Sequence, residues 1–154
     1  MSIDDDIAIL QKVPMLAVLG HGALRLIAMG AESRQVPPGE ILFRPNEKPD
    51  CAFVVQQGSF RLSADPDATA AVMDAGPGIL LGEFALIAAS ARPLCATALE
   101  PSTVMRISRS MFMKILEDDA DAAWRLREHI ARRANDSMID MERVRDTLEP
   151  KRKT

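Results

Sequence analysis

Gly82-Glu83-Phe84-Ala85-Leu86-Ile87-Ala88-Ala89-Ser90-Ala91-Arg92 is the most informative stretch of the chain. A glycine and a glutamate open a short apolar run, and one arginine closes it ten residues after the glycine. The stretch follows a strand-like run, Gly78-Ile79-Leu80-Leu81, so Phe84 to Ala89 is predicted as a one-turn helix with its amino end at the glycine. Free N–H groups at such an end, reinforced by the helix dipole, favour an anion. Arg92 is the only basic residue between Arg61 and Arg106, and its guanidinium can place two parallel hydrogen bonds on phosphate oxygens. Glu83 adds an acceptor of fixed charge that suits a sugar hydroxyl. A ribose phosphate fits this set of groups.

On the amino-terminal side, Ile7, Leu10 and Val13 recur at helical spacing behind Asp4, Asp5 and Asp6, whose charge favours a helix amino end. Leu24, Ile27 and Ala28 repeat the pattern in a second helix, and Pro37-Pro38-Gly39 stops helical propagation. From there to about Ile107, short strands alternate with turn clusters at residues 44–50, 64–67 and 74–78, the spacing of a β sandwich, roll or barrel. Ser108 or Ser110 can cap a later helix whose apolar face is Phe112, Ile115 and Leu116. A long amphipathic stretch runs from about Ala122 to Leu148. Ile130, Ala134, Met141, Val144 and Leu148 form an approximate a/d seam there, with Ser137 inside it and Arg127 at its edge.

The expected fold is mainly β with flanking helices: an antiparallel β roll (a double-stranded β-helix or jelly roll) with N-terminal helices and a long C-terminal helix. The expected organisation is a single domain over residues 1–154. Helices occupy 1–35, the roll 36–107 with the 82–92 segment inside it, further helices 108–148, and a basic tail 149–154.

Composition narrows the function. The 154 residues carry a net charge of −3 and 47% hydrophobic residues, as expected of a globular domain without the basic footprint of a nucleic-acid binder. With no Tyr, one Trp and five Phe, the chain offers little for stacking bases. No apolar run approaches the length of a membrane span and the first residues are acidic, so a cytoplasmic chain is expected. Cys51 and Cys95 suggest two reduced thiols, Cys95 as a small core residue.

The 82–92 stretch resembles the phosphate-binding cassette of the cyclic-nucleotide-binding domain family, written roughly Gly-Glu-x-Ala-Leu-x, four more residues, then Arg. Val36 to Phe43 looks like the family's opening strand, Phe53 to Gly58 like its aromatic strand and turn, and Ala98-Leu99-Glu100 like the strand leaving the cassette. The resemblance implies cyclic-nucleotide binding through Gly82, Glu83, Phe84, Ala85, Arg92 and Pro93. Ala131-Arg132-Arg133 is similar to a stretch in the dimer helix of the bacterial catabolite activator protein, a family member, and in that register Ser137 falls where a hydroxyl reaches the adenine. The arginines of this helix otherwise read, beside Glu128, Asp136, Asp140 and Glu142, as a mixed solvated surface.

One departure bears on affinity. Family members commonly place a small residue after the arginine and turn its N–H to the phosphate, whereas Pro93 has no N–H. Guanine-selective relatives often carry threonine at that position, so cyclic AMP is favoured, with cyclic GMP as the alternative ligand. No cofactor or metal is expected. An enzyme is disfavoured, since His21 and His129 lie in helical segments far from the strands and no nucleophile motif is present. The expected function is that of a regulatory sensor domain that signals to an effector protein or through a homodimer of the C-terminal helix. Direct DNA binding and membrane insertion are not expected. The alternative is a degenerate roll that has lost the nucleotide and serves as a dimerisation or docking module.

Overall fold

A computed structural model describes residues 2–44, 47, 49–65, 73–86 and 94–148, the side chains of Phe84 and of residues 136–148 excepted. Three helices come first: α1 (Ile3–Leu10), α2 (Pro14–Ala17) and α3 (His21–Gly30). In α1, Ser2 and Asp5 form a reciprocal capping box, with Asp4, Asp5 and Asp6 in the first turn. The sequence pattern predicts two helices in this region. The short third, α2, begins at Pro14, whose missing N–H is harmless at a first helical position, and it buries Met15 and Leu16.

The strands are β1 (Glu32–Val36), β2 (Ile41–Phe43), β3 (Cys51–Gln57), β4 (Phe60–Ser63), β5 (Met73–Ala75), β6 (Leu80–Leu81), β7 (Cys95–Ala98) and β8 (Ser102–Ser108). They form two four-stranded sheets, ordered β1-β8-β3-β6 and β2-β7-β4-β5, in which every pairing is antiparallel. This is the predicted β roll with helices at both ends. Its first strand starts at Glu32, four residues before the expected boundary at 36. Glu32 to Gln35 are exposed and lack apolar alternation, so only their backbone pairing with β8 marks them as a strand. Gly39, with φ of +83°, then turns the chain toward the second sheet and donates its N–H to the Ala98 carbonyl at 2.7 Å.

Strand β3 shows how the layers stack. Ala52 and Val54 pack with Leu16, Ile27, Ile107 and Phe112 under the helices, while Cys51, Phe53 and Val55 pack with Phe43, Phe60, Leu81 and Val104 between the sheets. Successive side chains of a strand point to opposite faces, so a strand covered on both sides reads as one apolar run. Both cysteines are buried.

Beyond β8, helix α4 (Arg109–Asp118) is capped by Ser108, whose Oγ accepts the Met111 N–H at 3.2 Å. Helix α5 (Ala120–Leu148) starts two residues before the predicted Ala122, because Asp119 accepts the Ala122 N–H at 3.0 Å and caps the opening turn. Ala122 and Leu126 are buried, Ile130 is half-buried, and residues 131–135 are exposed. Arg125 donates to the carbonyls of Val18 and Leu19 at 2.8 and 2.7 Å, fastening the start of α5 to the N-terminal helices. Among the described residues, no helix is long and apolar enough to cross a membrane.

Candidate functional site

Strand β6 leads into the glycine-glutamate pair. It pairs with β3 through Phe53–Leu81 and Val54–Leu80, and the turn before it is held by the Gly78 N–H on the Val55 carbonyl at 2.9 Å. The chain leaves the strand at Gly82 with φ of +75°, a left-handed conformation that side chains disfavour. A 3-10 helix follows over Glu83–Leu86, and the Ala85 N–H bonds to the Gly82 carbonyl at 3.0 Å. This helix begins one residue earlier than the predicted Phe84. The tighter i to i+3 bond from Gly82 brings Glu83 inside its first turn. Ala85 and Leu86 are buried, and Leu86 packs into the core beneath the helices.

Glu83 faces a cation from the far end of the chain. Arg133 on α5 donates through both terminal nitrogens, at 3.0 Å to Oε1 and 3.3 Å to Oε2. The hydrogen bonds and charge of Glu83 raise the Arg133 guanidinium above its ordinary pKa against a small opposing effect of burial. Arg133 lies on the solvated helix surface that the sequence suggested, and from there a forked ion pair joins it to the cassette. Arg109, the first residue of α4, reaches the same short helix from another side. Its Nε donates to the Ala85 carbonyl, its second guanidinium nitrogen to the Pro49 carbonyl, and its main-chain N–H to the Asp50 carbonyl at 2.8 Å.

Of the predicted site residues, the structure brings Gly82, Glu83, Phe84 and Ala85 together on one turn. Arg92 and Pro93 lie outside the described residues, and Ser137 lies on α5, four residues past Arg133, with its side chain outside them. Arg109 and Arg133 were not predicted. Each meets a partner distant in sequence, and only the pairing of an acidic cassette residue with a basic helix could have suggested Arg133. Among the described residues, no cluster of His, Cys, Asp or Glu could hold a metal ion.

The family model described as "cyclic nucleotide-binding domain" matches residues 33–119, more than half of the chain. The chain therefore belongs to the cyclic nucleotide-binding domain family. A solved cyclic nucleotide-binding-like protein from Brucella abortus is 40% identical, with a TM-score of 0.67 over 74% of this chain and 99% of that one. An uncharacterized NTE family protein of Mycobacterium tuberculosis is 33% identical over 108 residues, 70% of this chain and 18% of that protein. A cyclic nucleotide-gated potassium channel of Mesorhizobium japonicum is 35% identical over 96 residues, 62% of this chain and 25% of the channel. The chain thus spans a quarter or less of these two relatives.

Proposed function

We propose that the chain is a regulatory domain that binds a cyclic nucleotide, cyclic AMP in preference to cyclic GMP, and reports occupancy through α5. The observation that carries this reading is the forked bond between Glu83 and Arg133, which links the cassette directly to the long helix. In this reading Arg92 neutralises the cyclic phosphate, the turn from Gly82 through Phe84 and Ala85 lies against it, and Glu83 accepts the ribose 2′-hydroxyl. Ser137 contacts the base, and Pro93 lowers affinity by withholding an N–H. A ligand shifts only conformations that it binds unequally, so its effect on the Glu83–Arg133 pair sets the direction of the output.

The output passes to an effector protein or through a homodimer along α5, in the cytoplasm, without direct DNA or membrane contact. The chain itself is proposed to be non-catalytic, and the similarity to the NTE family protein concerns 18% of that protein's length. The gated potassium channel, by its name, couples a cyclic nucleotide to an output, which supports a sensor role for the matching segment. A second reading, a roll that has lost nucleotide binding and acts as a dimerisation or docking module, is favoured by Pro93 alone. Calorimetric titration with cyclic AMP and cyclic GMP separates the two. Saturable binding that is tighter for cyclic AMP supports the sensor, and no binding of either nucleotide supports the docking module.

A further inference from the structure

Among the described residues, arginines from two different helices hold the cassette helix. Arg133 of α5 grips the Glu83 side chain, and Arg109 of α4 grips the Ala85 carbonyl. A helix of four residues has too few internal bonds to fix its own orientation, so external ties decide where it points. The two ties differ in kind. Arg133 is about half exposed and sits on a part of α5 where residues 131–135 are solvated, a contact that can open. Arg109 lies at the junction of β8 and α4 and also holds the Pro49 and Asp50 carbonyls just before β3.

We propose that Arg109 is a positioning residue of the nucleotide site. By fixing the Ala85 carbonyl against α4 and β3, it sets the orientation of the turn that carries Glu83 and leads on to Arg92. This role rests on the cassette being a nucleotide site. Only a planar guanidinium, with donors spread along a fork, spans carbonyls of two separate segments at once, and a lysine ammonium reaches one point.

The test compares wild type, Arg109→Met and Arg109→Lys as full-length chains. Cyclic AMP affinity is measured by calorimetry, and amide hydrogen exchange is measured without ligand. Arg109→Met is expected to bind about ten- to a hundred-fold more weakly, with Arg109→Lys between it and wild type. In both variants exchange should quicken at residues 83–86 while β3, β8 and α4 keep wild-type protection, a local effect that general destabilisation does not produce. If wild type binds and Arg109→Met binds within about twofold of it, the positioning role is overturned. Loss of protection throughout the sheets in both variants also overturns it, in favour of a role in folding. A wild-type chain that binds no cyclic nucleotide overturns the reading of the site itself, and the positioning role falls with it.

Discussion

The carboxylate of Glu83 has about four lone-pair positions, and the two bonds from Arg133 leave room for a further donor. A ribose hydroxyl can therefore bind without displacing the arginine. A 2′-deoxy cyclic nucleotide should bind about ten- to a hundred-fold more weakly than its parent, the scale of one hydrogen bond to a charged group. Equal affinities in parallel titrations would mean that Glu83 serves only Arg133. The role proposed for Pro93 works in the opposite direction. Pro93→Ala restores an N–H beside Arg92 and should tighten binding by about tenfold. Weaker binding at an unchanged unfolding temperature would instead assign the proline's fixed φ an organising role. At this scale the sequence revealed what is local. Gly82 and Glu83 could be read because the strand, the left-handed residue and the short helix are contiguous. The Arg133 tie joins residues 50 apart and the Arg109 tie residues 24 apart, and local spacing carries no trace of such contacts.

Among the described residues, Arg125 fastens helix α5 to the N-terminal helices and Arg133 fastens it to the cassette. Eight residues separate these ties, about 12 Å along the axis. Removing the second should cost little stability, because exposed ion pairs contribute about 0–1 kcal/mol. Arg133→Gln is thus expected to unfold at nearly the wild-type temperature while uncoupling the helix from the ligand. The measurement is amide exchange over residues 131–135, which cyclic AMP should slow in wild type and leave unchanged in the variant. Equal slowing in both would remove Arg133 from the signalling route. The elements themselves were legible where a buried face imposes a period. Helices α1, α3, α4 and α5 announce one, and strand β3, covered on both faces, shows instead as a short unbroken apolar run. Strand β1 shows neither, since an exposed edge is defined by hydrogen bonds to β8 that any side chains permit. Helix α2 is a single turn, too short for a periodic signal.

A helix of 29 residues is about 44 Å long, and its described side chains are buried only as far as Leu126. Of the proposed dimer stripe, Ile130 is half-buried and Ala134 exposed, while the side chains of Met141, Val144 and Leu148 lie outside the described residues. Ending the chain after Asn135 keeps the core residue Leu126 and the Arg125 tie while removing Met141, Val144 and Leu148 of the stripe, so it tests the dimer. Sedimentation should show the full chain as a dimer at high micromolar concentration and the truncation as a monomer. A monomeric full chain, with or without nucleotide, would remove the dimer. The claim on which the other functional readings depend is that the cassette captures a cyclic phosphate through Arg92, the only basic residue between Arg61 and Arg106 in sequence. Calorimetric titration of cyclic AMP into the full chain and into Arg92→Ala tests it most directly. Saturable binding of one nucleotide per wild-type chain, lost or greatly weakened in a variant with the same circular dichroism, is the predicted result. Absence of binding to wild type, or equal affinity in the variant, would contradict it.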